Sequence, residues 1–241
     1  MAKLVIIESG SKSNAALVIS GGICLLVDCG VSMKKLACAL TRLGLGPSSV
    51  KAALITHGHS DHVKGMCSVK KCLGIPFYSF ADVEGCIKLE ESTDISGFEI
   101  NSFKLSHDVD CCGYRITADG NAVCFVIDTG VVTDGALDAM TGIKTVVLES
   151  NHDEDMLRYG SYPAALKSRI LSQNGHLSNK DCAKTLAYLA SKGLERAVLA
   201  HLSENNNTPL TARKCAVDEL KKYGFDSVDI KTAEPMLEME L

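Results

Sequence analysis

The sequence predicts a mixed α/β fold in which two sheets are faced by helices on their outer sides. Three observations carry that prediction. Short runs rich in β-branched residues recur along the chain, separated by Ser, Gly and Asn turns. Stretches of helical spacing alternate with them, more densely in the last third. No linker, repeat or low-complexity tract interrupts the pattern, so residues 1–241 are expected to form one domain.

The elements follow in order. Residues 4–7, 15–19 and 23–27 read as strands, and residues 32–43 have helical spacing that stops before Gly44 and Gly46. Residues 52–56 form a buried strand by their apolar run. A strand over 103–106 is expected to end at His107. Residues 113–117 and 122–127 form a hairpin around Asp119-Gly120-Asn121. A strand over 144–148 ends at Glu149. Ser178-Asn179-Lys180-Asp181 has the form of a helix cap, and its helix runs to about Lys192. A strand over 196–200 ends at His201, and a helix covers 208–223.

Composition narrows the classes. Apolar residues make up 46% and charged residues 22%, which permits a sizeable core. The net charge of −4 gives no global basic field, which argues against a pure nucleic-acid binding module. It leaves room for an enzyme that meets phosphate through metal ions. The 11 cysteines are odd in number, scattered, and form no Cys-x-x-Cys pair. They imply buried thiols in a reducing compartment, hence a cytoplasmic protein. The apolar run near the N-terminus is too short for a signal peptide, and no run reaches membrane-spanning length.

Residues able to hold metal stand just past predicted strand ends: Asp28, His57, His107, Asp128, Glu149 and His201. The run Thr56-His57-Gly58-His59-Ser60-Asp61-His62 places four such groups within six residues. Only 7 residues of the chain are histidine, so three of them in that run are hard to ascribe to chance. Imidazole and carboxylate donors suit zinc, and also manganese or iron. Two such ions lower the pKa of a shared water to about 7 and clamp the oxygen on which charge accumulates. Asp28, at its strand end, is placed to orient a ligand histidine.

This run resembles the signature of the metallo-β-lactamase superfamily. The likeness extends from Ser9-Gly10-Ser11 through Ser106-His107-Asp108, Ile127-Asp128-Thr129-Gly130 and Glu149-Ser150-Asn151-His152-Asp153. It continues through Gly175-His176-Leu177-Ser178-Asn179 to His201-Leu202-Ser203. Together these motifs look like the YycJ/WalJ branch, related to RNase Z and RNase J. The resemblance implies a four-layer αββα sandwich, two mixed sheets flanked by helices. It implies two divalent ions, zinc first and manganese second. His57, His59 and His107 would hold one ion and Asp61, His62 and His201 the other, with Asp128 bridging. His176 would protonate the leaving oxygen and Glu149 would orient it, with Asp61 in the catalytic set as well. An alkoxide leaves poorly without a proton, which is the reason for an acid here. The competing reading of His176 is a helix-start residue packed under Ser178.

Substrate contacts are assigned to Ser11, Lys12, Asn151, His152 and Arg169. The turn at residues 9–14 offers N–H groups and hydroxyls to phosphate, or is an ordinary hairpin turn. Tyr159, Tyr162, Lys167 and Arg169 suit bases and phosphates, or form a solvated helix face. Only 48 positions separate Asp128 from His176 (176 − 128), too few for the inserted domain of RNase J-like enzymes. No long Gly/Pro-rich arm of the RNase Z kind is present. The reading favoured by the resemblance is a nuclease acting on a DNA or RNA end. The alternatives are a small-molecule hydrolase (cyclic-nucleotide phosphodiesterase, thioesterase or lactonase) and a non-hydrolytic metal protein.

Overall fold

The computed structural model describes residues 2–241. The first sheet begins as an antiparallel meander of β1 (Lys3–Glu8), β2 (Ala15–Ser20) and β3 (Ile23–Val27). Helix α1 (Met33–Arg42) then crosses to β4 (Val50–Leu54), parallel to β3. Helices α2 (Ser60–Val63) and α3 (Met66–Leu73) lead to β5 (Phe77–Ser79) and β6 (Ile87–Lys88), again parallel.

The second sheet repeats this plan. Strands β7 (Ser92–Ile95), β8 (Phe98–Lys104), β9 (Cys112–Ala118) and β10 (Asn121–Val126) form the meander. Helix α4 (Asp134–Met140) crosses to β11 (Thr145–Glu149), parallel to β10. After α5 (Glu154–Tyr159), α6 (Ala164–Ile170) and α7 (Asn179–Ala190) comes the parallel β12 (Arg196–Ala200). Helix α8 (Pro209–Lys222) leads to β13 (Asp229–Thr232). The final strand, β14 (Leu237–Glu240), returns to pair with β1. Each sheet has seven strands, in the orders β14-β1-β2-β3-β4-β5-β6 and β13-β12-β11-β10-β9-β8-β7.

Side-chain alternation explains the layers. Along β10, Val123 and Phe125 join a core shared with the first sheet, while Cys124 and Val126 join a second core. That second core holds Met140 of α4, Leu186 and Leu189 of α7, and Ala212, Ala216 and Leu220 of α8. A strand buried on both faces has no polar side and reads as a continuous apolar run. Helices therefore cover the outer face of the second sheet, and α1 and α3 pack their Leu36, Leu40 and Val69 into the first core. The fold is the two-sheet, helix-flanked sandwich that the sequence predicts.

Parallel strands put their carboxyl ends on one edge, and that edge gathers the polar residues. Asp28 follows β3, Asp128 follows β10 and His201 follows β12 by at most two positions, and Glu149 ends β11. Asp28, Asp128 and His201 all adopt left-handed backbone, with φ of 57°, 57° and 54°. Such a conformation in non-glycine residues is strained, and Asp and His are among those that tolerate it. It turns each side chain sharply out of its strand toward the common edge.

Three boundaries differ from expectation. The strand before the histidine run ends at Leu54 rather than Thr56. Thr56 leaves the ladder because its N–H is taken by the Asp28 carboxylate at 2.9 Å. Strand β8 begins at Phe98 and ends at Lys104, so His107 lies on a loop beyond it. Glu149 belongs to β11 instead of following it. The cysteines also differ in part. All are free, and Cys38, Cys67 and Cys72 on α1 and α3 are exposed rather than buried. No helix among the described residues is long and apolar enough to cross a membrane.

Candidate metal centre

Six of the chain's histidines and three carboxylates meet at the shared edge. Ligand-type atoms of His57, His59 and His107 lie within 4.8 Å of one another, as do those of Asp61, His62 and His201. The same holds for His57, His62 and Asp128, and for Asp128, Glu149, His176 and His201. Asp128 therefore stands between the two histidine groups that the resemblance implies.

Four buried imidazoles of the cluster are held by their Nδ1 atoms. Thr56 Oγ1 lies 3.1 Å from His57 Nδ1, and the same hydroxyl donates to Asp28. His62 Nδ1 donates to Asp28 Oδ2 at 2.8 Å. His107 Nδ1 donates to the Gly175 carbonyl at 3.1 Å, and His201 Nδ1 to Glu149 Oε1 at 2.9 Å. A fixed Nδ1–H leaves the Nε2 lone pair free and aimed. His59 differs: its Nδ1 faces His107 Nε2 at 3.4 Å, and its Nε2 lies 3.4 Å from Asp108.

Protonation follows from burial and neighbours. Burial and the nearby His62 push the His57 pKa down to about 2, so it presents a neutral lone pair. Burial opposes charging of His201, but Asp128, Asp61 and Glu149 prevail and lift it to about 10 in the metal-free protein. His62 is raised in the same way, against its burial, by Asp28 and Asp128. Burial would raise the carboxyls of Asp61 and Asp128, yet the surrounding imidazoles hold both below the usual carboxylate range.

Three buried atoms test whether cations fit. His57 Nε2, Asp128 Oδ2 and His201 Nε2 have no hydrogen-bond partner among the described residues. Asp128 Oδ2 sits 3.0 Å from His62 Nε2 without the alignment a hydrogen bond needs. Buried polar atoms are normally satisfied, and three orphans converging on one space are what divalent cations would satisfy. The donor set of nitrogens and oxygens fits zinc or manganese.

His176 sits at the margin of this cluster, half-buried, with its Nδ1 2.8 Å from Glu149 Oε1. It is thus tied to Glu149 rather than packed passively at the helix start; the cap of α7 is made by Ser178 and Asp181. Glu149 is fully buried and all its capacity is used. Oε1 accepts from His176 and His201, and Oε2 from the N–H groups of Thr129 at 2.8 Å and Leu177 at 3.2 Å. Burial alone would raise its pKa, but His176 and His201 hold it at about 2. Burial likewise opposes a charge on His176, and Glu149 and Asp128 outweigh it to raise that pKa.

The expected substrate residues divide. Ser11, Lys12 and Arg169 are exposed at the rim. Lys12 pairs with Glu204 at 2.7 Å, and Arg169 pairs with Asp108 at 3.0 Å. Asn151 and His152 are a correction: at 4% and 1% exposure they are enclosed and cannot reach a substrate. Asn151 is buried because its amide donates to the His201 carbonyl, and His152 because its backbone joins the bridge to Ser178 beneath α7.

Three residues were missed. Thr56 links His57 to Asp28, and Asp108 lies 3.2 Å from His107 Nε2 while holding Arg169. Asn14, buried at the end of the first turn, touches both Asp61 and His62. Asp108 and Thr56 adjoin motif histidines, which is the one signal that marks them; Asn14 lies 47 positions before Asp61 and carries no local mark.

Two facing mixed sheets with imidazoles and carboxylates on the carboxyl edge define a metallo-hydrolase fold. The chain belongs to the beta-lactamase superfamily, whose domain profile matches residues 24–202. It is 32% identical to exodeoxyribonuclease YycJ of Bacillus anthracis, over 96% of this chain and 95% of that protein. It is equally similar, at 32% over 98% of each chain, to exodeoxyribonuclease WalJ of Streptococcus pneumoniae. The fold matches the metallo-beta-lactamase fold protein YhfI of Bacillus subtilis with a TM-score of 0.75, at 18% identity, covering 100% of this chain and 99% of that one.

Proposed function

We propose that the chain is a cytoplasmic, metal-dependent phosphodiesterase that removes nucleotides from a nucleic-acid end, working as one domain over residues 1–241. The single observation that carries the reading is the Glu149–His176 pair set against the seven-residue cluster. An ester with a good leaving group has little need of a proton donor, whereas a sugar alkoxide does. The relatives' names give the substrate class.

His57, His59 and His107 would hold one ion, Asp61, His62 and His201 the other, and Asp128 would lie between. Zinc is the first choice and manganese the second. Ions held there would supply a nucleophilic water near neutral pH and charge neutralisation for the phosphoryl group. The protein's own residues do the rest. Glu149 fixes the His176 Nδ1–H, so Nε2 is the atom that carries and delivers the acidic proton. In the metal-free protein Glu149 and Asp128 raise the His176 pKa against its burial, which favours the protonated form an acid needs. Arg169, fixed by Asp108 beside His59 and His107, supplies a cation for a neighbouring phosphate, and the exposed Lys12, paired with Glu204, offers a second.

The test is an end-labelled panel of single- and double-stranded DNA and RNA with zinc, manganese or magnesium, wild type beside His59→Ala. Stepwise release of nucleotides by wild type, reduced at least about 100-fold in the variant, is expected. Turnover confined to thioesters, lactones or cyclic nucleotides would replace this reading with a small-molecule one.

A further inference from the structure

Four buried imidazoles of the candidate set each have a holder from outside that set. His57 has Thr56, His62 has Asp28, His107 has the Gly175 carbonyl and His201 has Glu149. Asp61 has Asn14. Its Oδ2 also lies near His62 Nε2 at 3.2 Å and His201 Nε2 at 3.7 Å, but those are candidate ligands themselves. The Asn14 amide, 2.9 Å away, is the one side-chain contact to this carboxylate from outside the set among the described residues.

We propose that Asn14 is the positioning residue for the second cation, holding the Asp61 carboxylate in its ligating pose. The inference rests on the two-cation reading above. Asn14 is 2% exposed, and its amide cannot be turned over. Oδ1 accepts from the Gly10 N–H at 3.0 Å, which forces Nδ2 toward the cluster. Nδ2 has two protons and three acceptors in reach: Gly10 O at 3.1 Å, Asp61 Oδ2 at 2.9 Å and His62 Nε2 at 3.0 Å. The two oxygens take both protons. His62 Nε2 receives none, so the Asn14 amide does not compete with a cation for that nitrogen.

The choice of an amide is chemical. A carboxylate oxygen has two lone pairs, so Asp61 Oδ2 accepts from Asn14 and still faces the site. A lysine or arginine in this place would compete with the cation for the same charge, and a neutral amide orients the oxygen without that competition. The backbone adds a second tie. The Asn14 N–H donates to the Asp61 carbonyl at 2.9 Å, and the Gly30 N–H donates to the Asn14 carbonyl at 2.9 Å. The polar turn that sequence reasoning offered to phosphate thus turns inward at its last residue to brace α2.

Metal content separates positioning from mere support of the turn. Wild type, Asn14→Ala and Ser13→Ala would be equilibrated at buffered free zinc, with metal per chain and the melting temperature of the metal-free protein measured for each. Ser13 Oγ donates to the Gly30 carbonyl at 2.7 Å, so its loss weakens the same turn without touching Asp61. Wild type and Ser13→Ala are expected to hold two zinc ions. Asn14→Ala is expected to hold one, with the second dissociation constant raised about 10- to 100-fold and regained in excess zinc. Asn14→Ser, a smaller change, is read in the same way if the alanine variant does not fold. Two zinc ions of wild-type affinity in the Asn14 variants, or equal loss in Ser13→Ala, overturn the proposal alone. Fewer than two ions in wild type overturn the two-cation reading and the proposal with it.

Discussion

Glu149 joins two jobs in one side chain. Its Oε1 holds both His176, the proposed proton donor, and His201, a candidate ligand, while two backbone N–H groups lock Oε2. A buried carboxylate with every lone pair engaged is a rigid fixture, and rigidity is what a positioned acid needs. The two histidines must therefore be distinguishable by mutation. His176→Ala is expected to lower kcat on a nucleic-acid end about 100- to 10,000-fold, with two metal ions retained. The loss should shrink toward unity with a 4-nitrophenyl phosphodiester, whose leaving group needs no proton. Equal loss on both substrates, or loss of metal from His176→Ala, would remove the acid role. His201→Ala should lose metal instead.

At the scale of the element, two glycines let the loops close over the site. A Cβ on Gly30 would stand 1.6 Å from the Asp61 carbonyl oxygen and 2.7 Å from the Asn14 nitrogen; one on Gly65 would stand 1.9 Å from the Val31 carbonyl oxygen. Both clashes are with backbone, so no rotamer relieves them. Gly30→Ala and Gly65→Ala are each expected to cost on the order of 3 kcal/mol or more by denaturant titration, and to displace α2. Gly46→Ala, where the nearest atom is the Ser48 hydroxyl at 3.9 Å, should stay within about 0.5 kcal/mol. Wild-type stability in Gly30→Ala would mean that α2 does not sit as described.

The element scale also explains what the sequence made legible. Most of strands β1 to β4 and β10 to β12 were readable as apolar runs buried between layers, β9 as the partner of β10 across the Asp119-Gly120-Asn121 turn, and α7 and α8 because Ser178 and Thr208 cap them. Strands β6, β7, β13 and β14 were not, being short, with exposed residues such as Ile87, Ser92, Asp94 and Asp229. Their pairing is set by partners far along the chain, as when Leu237 meets Ile6. The histidine run was legible because its spacing is local. Asp108 is marked only by its place beside His107, and the contact of Asn14 with Asp61 appears only in the folded geometry.

Across the whole molecule, cations held at this site would staple the two sheets together. Asp28, His57 and His62 come from the first sheet's edge, and His107, Asp128, Glu149 and His201 from the second. Cations bound between them would stabilise the folded state by mass action, by about 2.7 kcal/mol per site at 100 times the dissociation constant. Chelation should lower Tm by about 5–10 °C per site vacated, and zinc should restore it. The pH sign follows from the raised pKa values of His62 and His201, the latter at about 10, in the metal-free protein. Both imidazoles carry protons at neutral pH that a cation must displace, so zinc affinity rises with pH and falls in acid. A Tm indifferent to chelator would argue against the staple.

Everything in the account turns on a pair of cations at the seam between the sheets, and anomalous X-ray scattering from metal-replete crystals sees them directly. Two peaks about 3.5–4 Å apart are predicted. They should be ringed by His57, His59 and His107 on one side and Asp61, His62 and His201 on the other, with Asp128 reaching both. No peak there, or peaks held by other residues, would contradict it.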